Sequence, residues 1–309
     1  MKREEFIQKS LAAGMLLSAS SFPFEAFAKN DAKKITILHT NDQHSRIETF
    51  PMDGGKYQGL GGFSQRALLI NEIRKQEKNV LLLDSGDIWQ GTPYFNLYGG
   101  EVEFKLMSEM KYDASTLGNH DFDKGIDGFV KQLPHATFPF LNCNYDFTDT
   151  AMEGKILPHK IFSFEGIKIG VFGVGIELKG LVPQDLFGNI KYNDPMANAN
   201  KTAKQLKLEH DCDLVICLSH LGYKYEEKKV SDVDLATQCR NIDLILGGHT
   251  HTFFTKPEEY RNVDGAKVLV NQVGWAGIYL GRLDFYFERK KKGILIADSP
   301  KLISSDLAG

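Results

Sequence analysis

Apolar runs of four to seven residues recur along the chain, and most of them end in a polar cluster rather than a plain turn. Ile35 to Leu38 lead to Asp42 and His44, and Val80 to Leu83 lead to Asp84 and Asp87. The stretch 113–117 leads to Gly118-Asn119-His120-Asp121, residues 213–219 lead to His220, and 243–246 lead to His249 and His251. Residues 168–175 read as a strand of the same kind, with Gly173 and Gly175 letting the chain turn. Runs apolar on both faces predict strands covered on both sides, as in α/β sheets. Helices are predicted between them over 63–78, 102–110, 126–133, 198–210 and 230–240, and this alternation implies crossover connections and parallel pairing. Near the end the pattern changes: Leu283, Phe285 and Phe287 alternate with Arg282, Asp284, Tyr286 and Glu288, the period of a strand with one wet face. Mixed sheets, rather than one doubly wound sheet, are therefore expected. No repeat or linker appears after residue 34, so residues 29–309 read as one domain.

Ligands of open α/β sheets gather beyond the carboxyl ends of the strands. Five such ends carry Asp42, His44, Asp87, Asn119, His220, His249 and His251, besides His120. Carboxylate, imidazole and amide oxygen hold borderline or hard divalent cations, and seven donors exceed what one ion takes from protein alone. Two ions sharing a bridging carboxylate fit that count. Residues i and i+2 of extended backbone point to one side, so Asp42 with His44, and His249 with His251, are expected to converge. Glycines 86, 118, 247 and 248 are expected to let the backbone turn and aim the next side chain. His39 reads as a brace of the first loop, and His135, His159 and His210 as surface or structural residues.

Composition narrows the class further. The chain has 309 residues and a formal net charge of −3, with neither sign dominating a half, which argues against a nucleic-acid partner. The one basic cluster, Arg289 to Lys292, reads as a solvated hairpin tip. Residues 1–28 read as an export signal: Lys2 and Arg3, a short apolar core, and Ala26-Phe27-Ala28 as a cleavage site. Arg3-Glu4 is a degenerate twin-arginine pattern. The expected location is periplasmic or extracellular. No later apolar run of about 18 residues offers a membrane span. The four cysteines, Cys143, Cys212, Cys217 and Cys239, follow no metal-finger spacing, and Cys217 reads as a buried thiol.

The motifs LHTNDQH, DSGD, TLGNHDFD, LSHLG and LGGHTH, in this order, resemble the calcineurin-like metallophosphoesterases, specifically their 5'-nucleotidase branch. The resemblance covers roughly residues 35 to 287. It implies a four-layer α-β-β-α sandwich, with two mixed sheets face to face and helices outside. It implies that Asp42, His44, Asp87 and His251 hold one divalent metal, and Asp87, Asn119, His220 and His249 the other; Zn, Mn, Fe, Co and Mg remain open. Two such cations acidify a bridging water, and the resulting hydroxide attacks phosphorus in line. His120 is surplus to the metal set and suited to protonating the leaving group, with Asp123 as the implied orienting carboxylate and Asp121 as the alternative.

The expected activity is hydrolysis of phosphate monoesters, 5'-nucleotides first. The alternatives are a 2',3'-cyclic-nucleotide or nucleotide-sugar phosphodiesterase, a relative of the sulfur-oxidising thiosulfohydrolases, or a metal-binding subunit that works only with a separate chain. The resemblance implies a second, nucleoside-gripping domain in full-length relatives. No residue here is assigned to substrate binding.

Overall fold

The computed structural model describes residues 32–287, 296–297 and 301–303. The export signal at 1–28 and the basic tip at 289–292 lie outside them.

In chain order the strands are β1 (Lys33–Thr40), β2 (Val80–Asp84), β3 (Ala114–Ser115), β4 (Tyr145–Asp146), β5 (His159–Phe164), β6 (Ile167–Val174) and β7 (Lys191–Tyr192). There follow β8 (Leu214–Ser219), β9 (Leu244–Leu246), β10 (Glu258–Arg261), β11 (Lys267–Asn271), β12 (Tyr279–Phe287), β13 (Ile296–Ala297) and β14 (Lys301–Leu302). The helices are α1 (Phe63–Gln76), α2 (Pro93–Tyr98), α3 (Glu101–Glu109), α4 (Gly125–Gln132), α5 (Gln184–Phe187), α6 (Pro195–Lys204) and α7 (Asp232–Gln238).

Among the described residues, one sheet has the order β13-β12-β1-β2-β3, with β14 also on β12, and the other β10-β11-β9-β8-β6-β5. Both are mixed. β1 runs parallel to β2 and antiparallel to β12, and β6, β8, β9 and β11 are parallel, with β5 and β10 antiparallel at the edges. Three apolar layers separate four layers of structure. Ile35, Ile37, Leu81, Leu83, Leu214, Ile216, Leu218 and Phe285 fill the space between the sheets. Leu38, Leu82, Ile70, Phe104 and Phe129 join the first sheet to α1, α3 and α4. Val215, Cys217, Ala203 and Leu235 join the second to α6 and α7. Each fully buried aliphatic side chain contributes about 1.5–3 kcal/mol.

The predicted helices form, with shifted ends. The one expected from residue 198 begins at Pro195, because Asp194 caps it by accepting the amides of Met196 (2.8 Å) and Ala197 (3.1 Å), and it closes in a π turn over Gln205–Glu209. In β12 the expected wet face is partly closed. Asp284 is buried and accepts from Thr36 Oγ1 (2.8 Å), with Lys34 and Arg282 beside it. Gly173 and Gly175 do not turn the chain. They admit close neighbours, since a Cβ at Gly173 would fall 1.9 Å from the Leu141 carbonyl and one at Gly175 2.4 Å from the Tyr145 ring. All four cysteines are free thiols, three of them buried. Among the described residues, no helix is long and apolar enough to cross a membrane.

Candidate active site

The loops leaving β1, β2, β3, β8 and β9 bring their polar clusters to one end of the sandwich. Ligand-type atoms of Asp42, His44 and His251 lie within 4.8 Å of one another, and so do those of Asp87, His220 and His249. The two triads touch: His220 Nε2 is 3.2 Å from Asp87 Oδ2 and 4.0 Å from Asp42 Oδ1, while His44 Nε2 is 3.9 Å from Asp87 Oδ2. Asn119 Oδ1 joins the second triad, 2.9 Å from His249 Nδ1. All seven residues expected from the strand ends are therefore brought together.

The backbone does this differently from the expected extended pairs. Asp42, His44, Asp87, His249 and His251 all have left-handed φ, at 48°, 48°, 54°, 70° and 52°. L-residues occupy that region at a cost of about 1–3 kcal/mol each, and such strain gathers where the surroundings impose a side-chain direction. Of the four glycines expected to turn, only Gly86 has positive φ. Gly118, Gly247 and Gly248 instead make room: a Cβ at Gly118 would lie 2.1 Å from Asp87 Oδ1, and one at Gly248 2.8 Å from His220 Nδ1.

Hydrogen bonds fix how the imidazoles present themselves. His220 Nδ1 donates to the Ser85 carbonyl (2.7 Å), and His44 Nδ1 to the Trp89 carbonyl (3.3 Å), which leaves both Nε2 atoms turned to the centre. His44 Nε2 faces His251 Nε2 at 3.0 Å. His220 Nε2 is fully buried and makes no well-formed hydrogen bond despite the nearby Asp87 oxygen. Imidazole nitrogens and carboxylate oxygens converge here at 3.0–4.0 Å, and the two carboxylates favour a positive charge between them. The donor set therefore fits divalent metal ions.

Electrostatics point the same way. Burial alone would favour a neutral His220, but the charge of Asp87 and then of Asp42 raises its pKa, and Asp87 in turn is held below the ordinary carboxylate range by His220. His249 is pushed down to about 4, by burial first and by the charge of His220 second.

His120 stands beside the centre, its ring centroid 5.4 Å from that of His44, and is part-exposed. Its Nδ1 donates to Asp123 Oδ2 at 2.9 Å, and this hydrogen bond raises its pKa against the effect of burial. Asp121 is occupied elsewhere: it accepts the amides of Gly118 (2.8 Å), Ile88 (3.0 Å) and Asp87 (3.1 Å), tying the third loop to the second. Burial and the charge of Asp87 push its carboxyl up to about 7.

Several residues support the site in ways that the sequence did not announce. Asp84, buried at the end of β2, accepts from Thr40 Oγ1, Gln43 Nε2, the Gly86 amide and Ser115 Oγ at 2.6–3.0 Å, joining three strand ends. Asn41 donates to Asp42 Oδ2 and to the Gly274 carbonyl, both at 2.6 Å. His39 does not brace the first loop. β1 continues through it, and its ring lies in the sandwich with Nε2 accepting from Asn271 Nδ2 at 2.8 Å. The polar cluster after each strand was visible, but the residues holding the clusters together carry no spacing of their own.

Residues 35–253 match the family model of the calcineurin-like phosphoesterases, and the chain belongs to that family. Among curated relatives it is similar to a snake venom 5'-nucleotidase of Crotalus adamanteus, with 32% identity over 89% of this chain and 49% of the relative. Two solved structures share the fold. They are a 5'-nucleotidase precursor of Thermus thermophilus (TM-score 0.79, 28% identity, 89% of this chain and 55% of that one) and the NAD nucleotidase of Haemophilus influenzae (0.77, 30%, 88% and 57%). The chain thus spans about half the length of the curated relatives it matches.

Proposed function

We propose that the chain is a dinuclear-metal hydrolase of phosphate monoesters, with 5'-nucleotides as its substrates. The observation that carries this reading is the pair of touching triads with the His120–Asp123 pair at their edge. Asp42, His44, Asp87 and His251 would hold one divalent ion, and Asp87, Asn119, His220 and His249 the second. When bound, such a pair neutralises phosphate charge and acidifies a water. His120 delivers a proton from Nε2 to the leaving oxygen while Asp123 fixes the ring by holding Nδ1. The buried Asp84 and Asp121 keep the loops in register.

Likeness to 5'-nucleotidases supports the nucleotide substrate, and likeness to an NAD nucleotidase supports the second reading, a phosphodiesterase of 2',3'-cyclic nucleotides or nucleotide sugars. The relatives' greater length supports a nucleoside-gripping domain, on this polypeptide or on a separate partner chain. Residues 1–28 support export to the periplasm or the outside.

The test is phosphate release by the chain loaded in turn with Zn, Mn, Co, Fe or Mg, on 5'-nucleotides, an aryl phosphate and a bis-aryl diester. Monoester turnover that disappears in Asp87→Asn is expected. Turnover of diesters alone would replace the first reading by the second, and failure to bind any ion would remove both.

A further inference from the structure

Gln43, the residue between Asp42 and His44, stands in the middle of a contorted turn. Asp42, His44 and Ser45 around it have left-handed φ of 48°, 48° and 50°. The amides of those three residues donate to the carbonyls of Gly86 (2.9 Å), Asp87 (3.1 Å) and Ile88 (2.9 Å), which fastens the turn to the loop after β2. The Gln43 side chain fastens it on the helical side. It is fully buried, its Nε2 donates to Asp84 Oδ2 (2.6 Å) and lies 3.4 Å from Met107 Sδ of α3, and its Oε1 accepts from Arg66 Nη1 of α1. With a carboxylate on one side and a guanidinium on the other, one orientation of the amide satisfies both.

Arg66 is a costly residue in this place. It is completely buried, and its Nε and Nη2 make no well-formed hydrogen bond. Burying a cation with so few partners is less favourable than burying an aliphatic chain of similar length, so filling space does not account for it. The guanidinium occupies a flat slot: Cζ lies 4.1 Å from the centroid of the Phe63 ring, and a Cβ at Gly277 would come within 3.2 Å of it. Gly277 follows Ala276, whose amide donates to the Asp42 carbonyl (2.7 Å). Arg66 therefore meets the turn twice, through the Gln43 side chain and through the loop that holds the Asp42 backbone.

We propose that Gln43 and Arg66 are positioning residues of the first triad: Arg66 fixes the Gln43 amide, and the fixed amide keeps the turn in the left-handed form that brings Asp42 and His44 to one ion. This rests on the metal-ion reading above. Backbone of this kind persists only where its surroundings over-determine it, so without the anchor the turn relaxes and the two donors on either side of Gln43 separate. The second triad draws on the loops after β2, β8 and β9, so the effect falls on one ion of the pair.

Cadmium-113 NMR of the cadmium-loaded chain reads each ion by its own resonance, with affinities from competition against a chelator. The resonance missing from His251→Ala belongs to the first triad. Gln43→Met, close to the parent in volume, should weaken that ion about 10–100-fold, the size found when the partners of metal ligands are removed, and leave the other within about threefold. Arg66→Met should do the same, and Arg66→Lys, which keeps an N–H for Gln43 Oε1, should recover most of the affinity. Gln43→Asn, too short to reach both partners, replaces either methionine variant that fails to fold. A role in packing alone would weaken both ions alike. Equal weakening of both, or of neither, in Gln43→Met or Gln43→Asn overturns the proposal while leaving the two-ion centre in place, and Arg66→Lys as weak as Arg66→Met overturns the part given to Arg66. A parent chain that takes up no cadmium removes the metal reading and this proposal with it.

Discussion

His120 donates its Nδ1 proton to the Asp123 carboxylate across 2.9 Å, three residues along one loop, and so keeps Nε2 available on the side of the His44 ring. In the proposed reaction, a group placed this way would serve a leaving oxygen that cannot depart unprotonated. His120→Ala should therefore lower kcat on a nucleoside monophosphate by about 10²–10⁴, and much less on a nitrophenyl phosphate, whose alcohol is acidic enough to leave alone. Asp123→Asn should show the same leaving-group dependence with a smaller loss. Equal losses on both esters would assign His120 to phosphate binding instead.

Asp87 lies between the triads, with Oδ2 3.2 Å from His220 and 3.9 Å from His44. Its removal should affect both proposed ions, whereas His251→Ala, at the edge of one triad, should affect chiefly one. Metal analysis after loading and gel filtration should find about two ions per chain in the parent, one in His251→Ala and fewer than one in Asp87→Asn. Because ions that bind only the folded state stabilise it by mass action, chelation should lower the parent Tm and leave that of Asp87→Asn nearly unmoved.

The fold and the donor set were legible for one reason: each rests on a pattern that the chain repeats. Strands apolar on both faces, such as β1 and β8, announce a covered sheet, and the clusters at Asp42, Asp87, Asn119, His220 and His249 recur after them. What was hidden is what has no period. Left-handed φ at Asp42, His44, Asp87, His249 and His251 cannot be read from the sequence, because Asp and His enter that region more often than most residues but still only occasionally. Trp275 carried no signal of its own in the sequence, because its neighbours His251, Phe50 and Tyr57 are distant along the chain. The edge strands β5 and β10 escaped notice since half-exposed segments lack the doubly apolar run.

Asp121 brings the second and third loops together through the amides of Gly118, Asp87 and Ile88. Asp121→Ala would leave those buried donors without an acceptor, each at a cost of about 1–3 kcal/mol. The expected outcome is a drop of about 3 kcal/mol or more in unfolding free energy, measured by urea titration. Metal affinity should fall too, because Asp87 and Asn119 sit on the two loops released. Asp123→Asn, whose partner is part-exposed, should leave the urea midpoint nearly unchanged.

His39 couples stability to pH. It is completely buried between the sheets, and burial pushes its pKa down to about 3 from an ordinary 6.5. Between those values the unfolded chain binds a proton that the folded chain does not, so stability from this residue is complete above pH 6.5 and falls as the pH drops toward 3. The slope is about 1.4 kcal/mol per pH unit, hence about 2 kcal/mol between pH 6.5 and 5. His39→Gln keeps an acceptor for Asn271 Nδ2 without a titrating ring. The difference in unfolding free energy between parent and variant, measured in urea at pH 7, 6 and 5, should shift toward the variant as the pH falls. A pH-independent difference would mean that the His39 ring reaches solvent or a proton acceptor in the folded state.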